Sequence, residues 1–219
     1  MTIDATTVAA NVDRIRQEIA DAGGDPERVR VLAVTKGFGP EAPNAALEAG
    51  LTDLGENYAQ ELADKAPSVT GSPRWHFIGR LQSNKVKLVA DLVTRWDSVD
   101  RASLVGEIAK RAPGATILVQ VNATGEAQKG GCPVPDVPDL VAAAADAGLV
   151  VEGLLTVGVD GDERATALAF ERVAGLVADL GLSEASMGMT ADLALAVRAG
   201  STQVRIGRAL FGPRPERVR

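Results

Sequence analysis

The 219-residue sequence has few residues of several kinds, and each scarcity excludes a class of protein. A single cysteine, Cys132, cannot form an intrachain disulfide, and with only one histidine it cannot complete a zinc site. No apolar run approaches the ~18 residues that span a bilayer, and the polar stretch after Met1 does not resemble a signal peptide. We therefore expect a cytoplasmic protein without a membrane segment.

Aromatic residues are also scarce, at 3%, although 46% of the sequence is hydrophobic. Valine, alanine and leucine must therefore fill the core, and a chain of this length can bury a sizeable core as one domain over residues 1–219. The net charge of −6 argues against a nucleic-acid or anionic-membrane partner. A small anionic ligand is still compatible with this charge, because a local group of backbone N–H donors can outweigh the global sign.

Short apolar runs alternate with amphipathic segments along the chain. After a helix over residues 7–22, the pattern predicts strands at 30–36, 52–56, 74–79, 94–99, 115–122, 149–156, 184–187 and 202–207. The intervening segments predict helices at 41–49, 57–65, 82–92, 101–111, 136–147, 163–180 and 190–199. This alternation favours an α/β fold, a closed (β/α)8 barrel of the TIM type with an extra N-terminal helix. An open doubly wound sheet is the alternative, and we interpret residues 211–219 as a frayed, solvated tail.

Lys36 ends the first apolar run after the N-terminal helix. Strand alternation puts it on the same face as Leu32 and Val34, at the mouth of a core. Partial burial there would disfavour the ammonium and lower the pKa of the amine, as an attack on a carbonyl requires. The alternative is a lysine that buries its stem and keeps its head in water.

Further polar residues lie inside or directly after the predicted strands, where a barrel of this type carries its chemistry. They are Glu56, Asn57, His76, Gln120, Asn122, Ser186 and Arg205. Arg205 would face the lumen, and it needs an acceptor there because a guanidinium cannot neutralise itself by losing its proton. Either Glu56 or a ligand's ring nitrogen or carboxylate would serve, and the pattern does not choose between them. A mid-strand histidine such as His76 is more typical of a hydrogen-bonded lumen residue than of a catalytic base.

The segment after the seventh predicted strand joins Ser186 to Thr190, which would cap the next helix. The same geometry exposes N–H groups that bind phosphate, and Gly207, after the eighth strand, would complete the cradle. A lysine at the rim opposite a phosphate cradle suggests an aldehyde that carries a phosphate. Pyridoxal 5'-phosphate (PLP) fits that description.

Six blocks of the sequence resemble the pyridoxal phosphate homeostasis protein family, whose members are single-domain relatives of the alanine racemase N-terminal barrel. The blocks are AVTK (33–36), GENYAQE (55–61), WHFIGRLQSNK (75–85), VQVN (119–122), SMGM (186–189) and GSTQVRIG (200–207). They occur in the family's order, and the resemblance covers about residues 6–214.

The resemblance implies a role for each candidate residue. Lys36 would form the internal aldimine with PLP, and Arg205 would face the pyridine nitrogen. Asn57 would lie beside the ring, and we count His76 among the cofactor-binding candidates. The phosphate would be bound by Ser186, Thr190 and Gly207. One departure follows the lysine itself, where GFGP (37–40) replaces the family's frequent Thr-Lys-Pro and so lacks a second lysine for transfer.

The implied function is to hold PLP without turnover and so to affect vitamin B6 and amino-acid balance, as a monomer with apo PLP-enzymes as acceptors. An arginine at the pyridine nitrogen keeps that nitrogen neutral and stabilises carbanions poorly. The second domain that supplies a tyrosine base in racemases is also missing from the sequence, so we favour a carrier. A weak PLP-dependent amino-acid racemase is the alternative. A third hypothesis is a phosphate-binding barrel enzyme without PLP, in which Lys36 is a Schiff-base or electrostatic catalyst.

Overall fold

Eight parallel strands close into a barrel in the computed structural model, which describes residues 3–126 and 130–215. Each strand pairs with the next barrel strand along the chain, and the last pairs with the first, so the sheet has no free edge. The barrel strands are β1 (Arg30–Val34), β2 (Asp53–Glu56), β3 (Arg74–Phe77), β4 (Val93–Val99), β5 (Thr116–Asn122), β7 (Val150–Leu155), β8 (Glu184–Ser186) and β9 (Gln203–Ile206). A short strand, β6 (Cys132–Pro133), adds to β5 outside the barrel.

Helices surround this barrel in the order of a (β/α)8 fold. They are α1 (Ala5–Asp21), α2 (Glu41–Glu48), α3 (Ala59–Lys65), α4 (Val86–Val89), α5 (Ala102–Arg111), α6 (Val137–Asp146), α7 (Glu163–Asp179), α8 (Leu193–Arg198) and α9 (Arg208–Phe211). Single 3₁₀ turns cover Ala66–Ser68, Ser83–Lys85 and Val134–Asp136. The extra N-terminal helix, α1, begins at an Asp4 cap and buries one apolar face against α2, α8 and α9. Within the described ranges no helix is both long and apolar enough to cross a bilayer.

The closed barrel predicted from the sequence is confirmed, and each predicted strand ends within two residues of an observed one. Three local predictions are wrong. The helix at 82–92 is a 3₁₀ turn followed by the one-turn α4, and the helix at 190–199 begins only at Leu193. The predicted solvated tail begins too early: Phe211 ends α9, is buried, and packs against Phe38 with 5.5 Å between ring centroids, whereas residues 213–215 are exposed as predicted. The rest of the predicted tail, 216–219, lies outside the described residues.

Charged side chains fill the amino-terminal half of the lumen. His76 lies between two carboxylates, with Nε2 3.1 Å from Asp53 Oδ1 and Nδ1 3.4 Å from Asp97 Oδ2. Arg74 Nε lies 2.8 Å from Asp53 Oδ1, and Arg95 Nε lies 2.8 Å from Asp97 Oδ1. Each of these carboxylates therefore faces both an arginine and the histidine, which compensates the cost of removing the charges from water.

This arrangement changes the pKa of His76. Burial alone would lower the pKa, but the hydrogen bonds to Asp53 and Asp97 outweigh that effect and raise it. A histidine whose folded-state pKa is raised stabilises the fold fully below its unfolded pKa, near 6.5. That stabilisation is lost as the pH rises through the folded-state pKa.

We expect His76→Gln to lower the free energy of unfolding by about 2 kcal/mol near pH 6, because both carboxylates lose a cationic partner. The difference from the wild type should shrink at alkaline pH, where His76 itself is neutral. Urea unfolding of both proteins between about pH 5.5 and about pH 9 measures it. A difference that stays constant over this range would contradict the assigned charge of His76.

Candidate functional site

Lys36 lies two residues beyond the end of β1, at the carboxyl-terminal mouth of the barrel. The backbone stays hydrogen-bonded to β2 up to this point, since Thr35 N–H donates to Gly55 O at 3.0 Å. Leu32 is paired with Arg205 of β9. The extended chain ends before Lys36, which lies in a turn closed by the hydrogen bond that Phe38 N–H donates to Thr35 O at 3.2 Å.

The pKa of the Lys36 amine is lowered from its ordinary value. Burial is the largest cause, and the positive charges of Arg214 and Arg205 act in the same direction. The carboxylates of Glu56 and Glu61 act against it more weakly. A larger fraction of Lys36 is therefore in the neutral, nucleophilic form than for a lysine in water.

Arg205 is buried in the lumen, with 5% of its surface exposed. Its Nη1 donates to Ser186 O at 2.7 Å and to Ser186 Oγ at 3.1 Å, and its Nη2 donates to Thr156 O at 2.7 Å. Burial lowers the pKa of Arg205 to about 10, so the guanidinium still carries its charge at neutral pH. None of the ion pairs among the described residues includes Arg205. The acceptors that Arg205 has among the described residues are all neutral oxygens.

Glu56, one of the two partners considered for Arg205, points away from the lumen. The neighbouring Gly55 faces the lumen instead, since a Cβ on Gly55 would lie 2.9 Å from a methyl carbon of Leu32. Glu56 Oε1 accepts hydrogen bonds from Lys65 Nζ at 2.6 Å and from Thr35 Oγ1 at 2.7 Å. Alternation along β2 explains the outcome, because adjacent residues of a strand face opposite sides.

Lys65 is a buried lysine that the sequence reasoning missed. Its Nζ donates to Thr35 O at 2.9 Å and bridges Glu56 and Glu61, with 2.9 Å to Glu61 Oε1. Glu61 also accepts the N–H of Gly37. This cluster therefore fixes the backbone on both sides of Lys36. The spacing of Glu61 and Lys65, four residues apart on one helix, is the sequence feature that could have indicated it.

Asn57 follows β2 at the same mouth and is half-buried. Its Oδ1 is buried and accepts no hydrogen bond from the described residues. Gly79, directly across on the next loop, packs on the Asn57 backbone: a Cβ there would lie 2.2 Å from Asn57 O. Asn57 is thus held in place by backbone contact while its side-chain oxygen is left without a donor from the part of the chain that the structure describes.

The three predicted phosphate ligands occupy different environments. Ser186 is fully buried, and its Oγ accepts from Arg205 and donates to Gln203 Oε1 at 3.1 Å. Thr190 is exposed and does not cap α8, because the cap position is Asp192, whose carboxylate accepts the N–H of Met189.

Thr190 lines a cavity of about 660 Å³, and Gly207 lines a second cavity of about 390 Å³. The two cavities share Arg208, so the loops after β8 and β9 border neighbouring spaces. Lys36, Asn57, Arg205 and Gly207 therefore lie at or just inside one end of the barrel.

His76 is not brought to this mouth. Its ring reaches Asp53, the first residue of β2, and it lines a small cavity with Arg30 and Thr116, which begin β1 and β5. These are amino-terminal strand ends, opposite the end at which Lys36 lies. The lumen-residue interpretation of His76 matches this position, whereas contact with a ligand held at Lys36 does not.

We expect Lys65→Met to lower the free energy of unfolding by about 3 kcal/mol, because Glu56 would be left buried without its cation. The loop that carries Lys36 should also lose protection from amide hydrogen exchange, since Glu61 would lose its positive neighbour. Lys87→Met, which removes an exposed lysine of α4, is the control and should stay within about 0.5 kcal/mol of the wild type. Equal effects of the two substitutions would contradict the role assigned to Lys65.

Known proteins resemble this chain over nearly its whole length. The family model described as "Alanine racemase, N-terminal domain" matches residues 3–215. A pyridoxal phosphate homeostasis protein of Pseudomonas aeruginosa is 40% identical over 223 aligned positions, which cover 98% of this chain and 97% of that protein.

Solved structures agree with these sequence comparisons. A crystal structure of an unknown protein from Bifidobacterium adolescentis superposes with a TM-score of 0.85 at 32% identity, covering 94% of this chain and 95% of that one. The structure of PipY from Synechococcus elongatus with PLP bound superposes with a TM-score of 0.79 at 27% identity, covering 90% of this chain and all of that one.

Proposed function

The chain belongs to the pyridoxal phosphate homeostasis protein family, and we propose that it binds PLP at the mouth of its barrel and holds the cofactor without catalytic turnover. The observation that carries this proposal is the pairing of Lys36, an amine of lowered pKa, with Arg205, a buried guanidinium on the neighbouring strand. PipY, a structural relative, is known with PLP bound, which supports the choice of ligand.

The residues at the mouth fit this cofactor on two observations. Arg205 is buried and charged with no ion-pair partner among the described residues, so a ring nitrogen can accept from it without displacing a carboxylate. Asn57 Oδ1 is buried and has no donor within residues 3–126 and 130–215, so a polar substituent of the ring can donate to it. When bound, PLP would supply an aldehyde carbon and an electron-withdrawing pyridine ring.

Lys36 would hold the cofactor covalently. Its neutral amine would be the nucleophile for the aldehyde carbon that PLP supplies. Lys65 and Glu61 keep the adjoining backbone in place for this attachment. The phosphate would be bound by the loops that carry Thr190 and Gly207 and not by the N-terminus of a long helix, because α8 begins only at Leu193.

The same residues argue against catalytic turnover. With a pKa near 10, Arg205 donates a hydrogen bond but not a proton at neutral pH, so a ring nitrogen facing it stays unprotonated and withdraws electrons weakly. His76 cannot serve as the base, since both ring nitrogens face carboxylates near the other end of the lumen. Release of PLP to apo PLP-enzymes, in the cytoplasm and from a monomer, belongs to the same proposal.

We expect the purified protein to be yellow and the visible band to be absent in Lys36→Ala, because the amine that binds the aldehyde is removed. Borohydride reduction should fix the cofactor mass on the peptide that contains Lys36. Lys85→Ala, which removes an exposed lysine, should keep the band. Cofactor reduced onto another lysine would overturn the assignment, and racemisation of an amino acid that Lys36→Ala abolishes would favour the weak racemase instead.

We expect Arg205→Glu to raise the proton affinity of the pyridine nitrogen and to shift the absorption band of the bound cofactor, because a carboxylate would replace a cation there. Arg205→Met removes the cation without adding an acid, so it should weaken binding with a smaller spectral change. Absorption spectra recorded over a pH titration measure both variants. If Arg205→Glu only weakened binding and left the spectrum unchanged, Arg205 would not contact the ring.

A further inference from the structure

The segment after β9 packs against α1 and against the loop that follows β1. Asn11 Nδ2 of α1 donates to Leu210 O at 2.9 Å, and Arg14 Nη2 donates to Ala209 O at 3.1 Å. The ring of Phe211 packs on Phe38, which follows Lys36 by two residues. These contacts anchor α9 and so set the position of the residues that follow it.

Arg214 lies directly over the loop that carries Lys36. A Cβ built on Gly37 would lie 2.9 Å from Arg214 Cδ, so the stem of the arginine covers the residue next to the lysine. Gly37 also has a φ of +79°, which an L side chain rarely adopts. Arg214 lines the cavity of about 390 Å³ together with Phe38 and Gly207. The absence of a side chain at Gly37 therefore allows Arg214 to pack against the loop.

Arg214 has no neutralising acid among residues 3–126 and 130–215. No ion pair among the described residues includes it, and its side chain is exposed to solvent. Four charged groups act on Lys36: Arg205 and Arg214 oppose its protonation, and Glu56 and Glu61 favour it. After burial, Arg214 has the largest effect of the four.

We propose that Arg214 is a positioning residue: it lies over the loop of Lys36 and holds a positive charge against the Lys36 amine, which favours the neutral form that attacks an aldehyde. The inference rests on the proposed function, because it assumes that Lys36 is the amine that takes the cofactor. Two properties follow from the geometry. The effect depends on the positive charge and not on the guanidinium shape, and it weakens in salt because the charge is exposed.

The test follows the rate at which the protein reacts with pyridoxal, the aldehyde without a phosphate, so that phosphate binding does not contribute. Borohydride trapping and peptide mass measure attachment to Lys36 alone, between about pH 6 and about pH 10. The variants are Arg214→Met, which keeps an apolar stem, and Arg214→Lys, which keeps the charge. The control is Arg198→Met, which removes one exposed positive charge from the last turn of α8.

We expect Arg214→Met to react about threefold more slowly near pH 7, which corresponds to about half a pKa unit, and to reach the wild-type rate at high pH. Arg214→Lys and Arg198→Met should follow the wild-type profile. At about 0.5 M salt the wild type should approach Arg214→Met, because the exposed charge is screened.

Two results would overturn the inference while leaving the proposed function intact. One is a pH profile of Arg214→Met that coincides with the wild type. The other is a rate reduced equally at every pH, which would mean that the stem only shapes the loop. If the wild type itself gave no product on Lys36, the proposed function would fail and the inference with it.

Discussion

The buried guanidinium of Arg205 is the constraint on which the rest of the site depends. An arginine cannot neutralise itself by releasing its proton near neutral pH, so the lumen has to supply acceptors for it. It receives them from Thr156 O and Ser186 O, at the carboxyl ends of β7 and β8. Ser186 Oγ then connects through Gln203 to Arg95, and the hydrogen bonds continue to the carboxylates of the lower lumen. One polar network therefore runs along the axis of the barrel.

The two ends of this network differ in how their charges are compensated. At the amino-terminal end Asp53 and Asp97 each face an arginine and His76, so the charges of these two carboxylates are compensated within the protein. At the carboxyl-terminal end, the acceptors of Arg205 within the described part of the chain are neutral oxygens, and the pKa of Lys36 is lowered instead of being raised by a dedicated partner. A ligand can react where the charges of the protein are not fully compensated by its own side chains. The amino-terminal half of the lumen, where they are compensated, mainly stabilises the fold.

Lys36 is controlled by groups from three separate parts of the chain. The buried cluster of Lys65, Glu56 and Glu61 fixes the backbone next to Lys36. Arg205 lies on the neighbouring strand, β9, and Arg214, which follows α9, lies over the loop that carries Lys36. The acids raise the pKa of the Lys36 amine, whereas burial and the two arginines lower it, and the net effect is a lowered pKa. A reactive amine thus results from the barrel as a whole and not from the lysine's immediate neighbours in sequence.

Local pattern in the sequence was sufficient for the strands, the barrel, the position of Lys36 at a strand end and the lumen-facing side of Arg205. These properties depend on the alternation of apolar and polar residues, because adjacent side chains of a strand point to opposite faces of the sheet. The tertiary structure alone decided the partners: Glu56 bonds to Lys65, His76 reaches Asp53, and Arg214 lies over Gly37. Such pairs depend on strand register, on closure of the barrel and on where its last helix packs. These features bring together residues that are far apart in the sequence. The local periodicity of the sequence therefore does not predict which residues form such pairs.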